Sequence, residues 1–60
     1  MVSPIDIQKA LSGMDYPARK EDIVRLAEQN GADSEVLEAL NKIEDREYEG
    51  PSGVSSAVFD

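Results

Sequence analysis

Apolar residues recur every three or four positions along most of this chain, and no stretch alternates strictly between apolar and polar. This spacing is typical of amphipathic helices, which bury one face and expose the other. We therefore predict an all-α protein without a β-sheet. The expected architecture is a compact bundle of three main helices, over residues 4–12, 20–30 and 33–43, with a short C-terminal helix over 52–58.

The residues at the expected helix ends support these boundaries. Ser3 can cap the first helix, with Pro4 at the first helical position and Asp6 completing a capping box. Gly31 is expected to end the second helix with a positive φ, and Asp33 to cap the third. The second and third helices then form a hairpin around a short turn.

The apolar stripes of these helices define a predicted core. Its members are Ile7, Leu11, Ile23, Leu26, Ala27, Val36, Leu37, Leu40, Ile43 and Val54. Tyr16 and Tyr48 are expected to cover this core with their hydroxyls in solvent, although tyrosine is also favoured at interfaces. Phe59 fits the core and an interface equally well.

One short pattern, branched-x-x-Ala-aliphatic, occurs three times. The copies are Ile7 to Leu11, Val36 to Leu40 and Val54 to Val58. The repetition has two interpretations, a duplicated two-helix unit or the chance likeness of small amphipathic helices. Neither interpretation indicates a function.

The amino-acid composition excludes several kinds of cross-link and metal site. The chain has 60 residues, enough for one small domain, and it contains no cysteine and no histidine. Disulfides and ordinary zinc, haem or iron–sulfur sites are therefore excluded. No apolar run approaches the roughly 20 residues needed to span a bilayer, and the start lacks the features of a secretory signal. We expect a cytoplasmic protein.

Charge is distributed unevenly. Residues 31–60 contain eight of the 13 acids and two of the six bases, which gives this half a net charge of −6 out of −7. Such a surface repels nucleic acid phosphates and anionic lipids. We therefore expect no nucleic acid or membrane partner. The acids either keep the protein soluble or attract a basic partner surface.

The strongest motif is a possible helix-turn-helix. Ala27, Gly31 and Leu37 have the spacing of the small residue, turn glycine and aliphatic residue of such motifs, which ordinary helical hairpins share. A DNA reader would place the third helix in the major groove. The outward residues of that helix include two acids and one base, which does not suit phosphates. They are Ser34, Glu35, Glu38, Asn41 and Lys42.

Two other site classes fit poorly. Asp45, Glu47 and Glu49 match the first half of an EF-hand loop, but Ser56 stands where the loop needs a bidentate glutamate. Carboxylate catalysis needs a desolvated pocket, which a domain of this size seldom encloses. We therefore expect no enzyme activity, no cofactor, and no catalytic or metal-binding residue.

Several segments together resemble a known family. They are Ala10-Leu11, Asp15 to Ala18, Lys20 to Val24, Ala27-x-x-Asn30 to Asp33, Val36-Leu37, Asp45 to Tyr48 and Pro51-x-x-Val54. In this order they resemble domain of unknown function 2795, a family of small acidic prokaryotic proteins. Arg19 departs from the family pattern, where a capping Ser or Thr is more usual, and Glu44 replaces an expected proline. The resemblance implies a small helical bacterial protein and supplies no activity and no site residues.

The sequence therefore predicts a small, uncharacterised, non-catalytic protein-interaction or accessory module whose partner is another protein. The alternative is a helix-turn-helix DNA-binding regulator. The two hypotheses differ in their response to salt, because a protein that neutralises several phosphates loses affinity steeply as salt rises.

Overall fold

A computed structural model describes residues 2–60 of the chain. These residues contain four helices and one small sheet. In chain order the elements are α1 (Pro4–Ala10), β1 (Ala18–Arg19), α2 (Lys20–Gln29), α3 (Ser34–Asn41), β2 (Glu47–Tyr48) and α4 (Pro51–Phe59). The order helix–strand–helix therefore occurs twice, within a molecule measuring 24 × 24 × 17 Å.

The start of α1 confirms the predicted capping box. The Asp6 backbone N–H donates to the Ser3 hydroxyl at 3.4 Å, and the Ser3 backbone N–H donates to the Asp6 carboxylate at 3.0 Å. Pro4 occupies the first helical position, where its missing N–H costs nothing. These bonds satisfy donors at the start of α1 that have no partner within the helix.

The turn between α2 and α3 also follows the prediction. Gly31 has a φ of 75°, in the left-handed region that side chains with a Cβ disfavour. Asp33 lies at the N-cap of α3 in extended conformation, but its side chain makes no capping hydrogen bond. The start of α3 therefore lies where the cap predicted it, while the expected capping bond does not form. The predicted ends at residues 12 and 43 were wrong, because α1 ends at Ala10 and α3 at Asn41.

The prediction of a protein without a β-sheet was wrong. The strands β1 and β2 pair antiparallel, with Ala18 opposite Tyr48 and Arg19 opposite Glu47. Two residues per strand are too few to show an alternating pattern in the sequence. The ladder joins segments far apart in the chain, so only the packing of the helices brings them together.

The proportions of the helices also differ from the expected three-plus-one arrangement. The helix α4 has nine residues, more than the seven of α1 and the eight of α3. It begins at Pro51, one residue earlier than expected, and extends to Phe59. The protein is therefore mostly helical, with α4 as a full member of the fold.

The core gathers residues from every helix and both strands. Its buried members are Ile7, Ala10, Leu11, Ala18, Ile23, Ala27, Val36, Leu40, Ile43, Tyr48 and Val54. Eight of the ten predicted core residues are among them, and the exceptions are Leu26 and Leu37, which are half-buried. Leu37 still packs against the core, but Leu26 does not. Tyr48 has no exposed surface, so it belongs to the centre of the core and does not merely cover it.

Candidate functional site

An open groove of about 760 Å³ lies between α1 and α4. The turn after α1 and both helices contribute to its lining. The lining residues are Ile7, Gln8, Leu11, Gly13, Met14, Tyr16, Pro51, Ser52, Ser55, Ser56, Phe59 and Asp60. Its volume lies within the range typical of ligand sites, but its shape is an open furrow and not an enclosed cavity.

The apolar residues of the groove form a floor and two walls. Ile7 and Leu11 are only 2% and 6% exposed, so they form the floor. Met14 and Tyr16 are half-buried and follow the turn after α1. Phe59, at the end of α4, is 43% exposed and supplies the most accessible apolar surface of the groove. Large apolar and aromatic side chains of this kind anchor many protein interfaces.

A single glycine allows the chain to turn sharply after α1. Gly13 has a φ of 86°, so the chain reverses there without the strain that a Cβ would cause. The Asn30 side-chain amide fixes the same turn from α2, donating to the Ala10 carbonyl at 2.8 Å and to the Ser12 carbonyl at 3.2 Å. These contacts hold Met14 at the edge of the groove.

The helix α4 adds a polar rim. Its groove-lining residues include Ser52, Ser55 and Ser56, which are separated by one turn or less of helix. The Ser56 hydroxyl donates to the Asp60 carboxylate at 2.8 Å. Hydroxyls beside an apolar floor can donate to and accept from a bound backbone, which suits recognition of a polypeptide.

Both tyrosine hydroxyls are placed differently from the expectation that they would reach solvent. The Tyr16 hydroxyl has almost no accessible surface and, within residues 2–60, no hydrogen-bond partner. Burial raises the pKa of Tyr16 above its ordinary value. The Tyr48 hydroxyl donates to the Glu44 carbonyl at 2.7 Å, and the Arg46 guanidinium lies 4.2 Å from the centre of the Tyr48 ring. The Tyr16 ring therefore lines the groove, and the Tyr48 ring packs inside the core.

The helical hairpin that suggested a DNA reader is present as α2 and α3. Ala27 is fully buried between them, and the Ala32 N–H donates to the Ala27 carbonyl at 3.0 Å across the turn. The five outward residues of α3 and its end, Ser34, Glu35, Glu38, Asn41 and Lys42, are all exposed. This exposed face of α3 carries two acids and one base. The hairpin is therefore present, but the charge of its exposed face does not favour contact with phosphates.

The segment that partly matches an EF-hand loop, residues 45–56, includes β2 and the start of α4. Glu47 lies within β2 opposite Arg19, and the neighbouring Tyr48 points into the core. Across the described residues, no three Asp or Glu side chains are grouped closely enough to hold a metal ion. Asp45, Glu47 and Glu49 are instead exposed charges on a surface segment.

Sequence reasoning named Tyr16 and Phe59 as possible interface residues, and both line the groove. It did not predict the groove itself, because α1 and α4 lie at opposite ends of the chain and nothing local marks their contact. Two signals pointed to it. Phe59 is a large aromatic residue outside the regular helical stripes, and Met14 follows a helix-ending glycine. Both residues line the groove.

The comparisons with known proteins identify a family and no function. A family model described as "Protein of unknown function (DUF2795)" matches residues 2–55. No curated protein and no solved structure gives a match to the chain. Among the helices in the described part of the chain, none has the length and apolar character to cross a membrane.

Proposed function

The chain belongs to the family described as protein of unknown function (DUF2795), and we propose that it is a non-catalytic module that binds another protein through the groove between α1 and α4. The observation that carries this proposal is the combination of a buried apolar floor with the exposed Phe59. The 43% exposed phenylalanine and the half-buried Met14 and Tyr16 leave apolar surface in water, and a partner that covers this surface lowers the free energy of the system.

The shape of the groove favours a protein partner over a small ligand. Small-molecule sites usually bury most of their ligand's surface. An open furrow between two short helices leaves one side of a small ligand in water. A polypeptide can extend beyond the furrow and cover the rim as well, which excludes water from the apolar contacts.

The ionisable groups of the groove support a non-catalytic role. Only Tyr16 and Asp60 among its lining residues carry titratable side chains. The Tyr16 hydroxyl is buried away from the groove surface, and Asp60 is exposed to solvent. General acid–base catalysis needs a group that is both desolvated and within reach of the substrate. Neither of these side chains meets both conditions.

The groove can be tested by capturing partners from the protein's own host. The tagged 60-residue chain would be compared with its variant Phe59→Ser and with the matched control Ile5→Ser, since Ile5 is 61% exposed and lies outside the groove lining. We expect mass spectrometry to identify a protein retained by the parent and by Ile5→Ser and lost from Phe59→Ser. Equal capture by all three chains would contradict the proposal. Cell fractionation with the same tag tests the expected cytoplasmic location.

A helix-turn-helix regulator is the competing proposal, and the α2–α3 hairpin is the observation that favours it. A fluorescence-anisotropy titration with mixed-sequence duplex DNA distinguishes the two. Saturable binding below about 1 μM that weakens as salt rises would favour the regulator. We expect no such binding, because residues 31–60 carry a net charge of −6 and include α3.

A further inference from the structure

Phe59 separates two surface depressions. On one side is the groove between α1 and α4, and on the other is a depression of about 400 Å³. Val2 and Val58 are among the apolar residues of this second depression. The apolar surface around Phe59 is therefore wider than the groove alone, and it continues from the α1 side of α4 to the α3 side.

The charged residues around this surface are mostly acidic. Asp60 lines the groove, and the exposed Asp15 lies between the groove residues Met14 and Tyr16. Glu35, Glu38 and Lys42 line the second depression. Among the described residues, the charges beside the apolar patch are therefore mostly acidic, and these residues form its acidic border. A partner with positive charge at its own border is attracted here, whereas a partner with negative charge there is repelled.

The length of α4, which forms one side of the groove, suits the packing of a short helix. The helix α4 has nine residues and is therefore about 13 Å long at 1.5 Å per residue. A helix lying along it would place residues i, i+3 or i+4, and i+7 within about 10 Å, which is the usual anchor pattern for a helix in a groove. Because α4 is about 13 Å long, a helix packed along it can contact it through all of these anchors.

From this combination we infer that the groove receives an amphipathic helical segment of another protein, with an apolar stripe bordered by lysine or arginine. The inference rests on the proposed function and adds the chemistry of the partner. The apolar stripe covers Phe59 and the half-buried Met14 and Tyr16, while the basic residues face Asp15 and Asp60.

A second copy of the chain is a poorer occupant. Each copy carries a net charge of −7, so two copies meeting at this acidic border would repel. A basic segment instead gains attraction from the same border. That attraction accelerates association and weakens as salt screens it, with a screening length of about 10 Å at 0.1 M salt.

The test uses designed peptides as probes for the partner segment. A fluorescein-labelled helix of about 18 residues, roughly 27 Å long, carries leucines at the anchor positions and lysines on both borders. A second peptide keeps the leucines and replaces each lysine by glutamate. Fluorescence anisotropy should show saturable binding of the lysine peptide and at least about tenfold weaker binding of the glutamate peptide. Equal binding of the two peptides, or no binding of either, would overturn the inference.

Variants of the full chain locate the binding. Phe59→Ser should weaken binding of the lysine peptide at least about tenfold, which is the effect expected for loss of an aromatic anchor. Ile5→Ser should leave the affinity for the peptide unchanged. Circular dichroism checks that both variants keep their helices. An equal loss of affinity in both variants would show that the peptide binds elsewhere.

A second pair of variants isolates the role of charge without altering the apolar surface. The double variant Asp15→Asn/Asp60→Asn should lower affinity at least about threefold at low salt and lose part of the salt dependence. The control Glu21→Gln/Glu28→Gln removes the same number of acids from the side of the molecule where α2 faces α3. Equal effects of the two pairs would mean that net charge, and not this border, attracts the peptide.

The inference and the proposed function can fail separately. If a host protein is captured through Phe59 although the lysine peptide does not bind, only the chemistry assigned to the partner is wrong. Sedimentation analysis of the free chain adds one outcome. A dimer that Phe59→Ser dissociates would replace the helical partner by a second copy.

Discussion

The side-chain amide of Asn30, at the end of α2, donates a hydrogen bond of 2.8 Å to the carbonyl oxygen of Ala10, at the end of α1. The same amide donates to the Ser12 carbonyl at 3.2 Å. One side chain therefore satisfies two carbonyls of the turn that follows α1, and it ties two helix ends to each other. This turn leads directly into the edge of the α1–α4 groove.

We expect Asn30→Ala to lower the free energy of unfolding by about 1–2 kcal/mol, because two carbonyls lose their donor and Ala10 is buried. The control is Asn41→Ala, whose amide donates to the Leu37 carbonyl at 2.9 Å, four residues back and near solvent. Urea denaturation of both variants measures the difference. Equal losses would show that the link between α1 and α2 contributes no more than a local surface bond.

The two tyrosines give a matched pair of hydroxyl deletions. Tyr48→Phe removes the bond to the Glu44 carbonyl and should cost about 0.5–1.5 kcal/mol. Tyr16→Phe removes a buried hydroxyl without a partner among the described residues and should be neutral or stabilising. Thermal unfolding of the two variants checks the order. A larger loss for Tyr16→Phe would mean that its hydroxyl is bonded in solution.

Two glycine substitutions should act in opposite directions. Gly31→Ala should destabilise by about 1 kcal/mol, because the residue has a φ of 75° and a Cβ there is strained even in open space. Gly53→Ala should stabilise by about 0.5–1 kcal/mol, because alanine favours a helix and its Cβ would meet Tyr48 at an ordinary 3.7 Å. Chemical denaturation measures both, and a change of the same sign in the two variants would contradict this account.

Two leucines of α3 test the difference between full and partial burial. Leu40 has no exposed surface, so Leu40→Ala should cost about 2–5 kcal/mol. Leu37 is half-buried, so Leu37→Ala removes less apolar contact and should cost less than about 2 kcal/mol. The measurement is the urea midpoint of each variant. An equal or larger loss at Leu37 would place that residue inside the core.

The capping box of α1 predicts a dependence on acid. The backbone N–H of Ser3, and then its hydroxyl, donate to the Asp6 carboxylate and lower its pKa below the ordinary 3.8. A lowered folded-state pKa contributes stability above the unfolded value, and this is lost as pH falls through the folded value. The thermal midpoint of the parent should therefore fall more steeply below pH 3.8 than that of Asp6→Asn. Parallel curves for the two proteins would show that the box does not form.

The positions of the helices could be predicted from the sequence alone, because the residue patterns that define them are local. The spacing of apolar residues, the Ser3 cap and the turn at Gly31 each act within a few residues of the chain, and the structure confirms these features. Of the ten core residues predicted from the same spacing, eight are buried. Local physical chemistry suffices for these features, since a helix buries whichever stripe is apolar.

The remaining features of the fold could not be predicted from the sequence, because they depend on which distant segments of the chain come into contact. The ladder pairs Ala18 with Tyr48, and two-residue strands carry no period that could predict it. Leu26 and Leu37 have the same helical spacing as their buried neighbours, but the packing of the fold leaves both half-exposed. The groove likewise exists only where α1 and α4 come together and leave Phe59 uncovered.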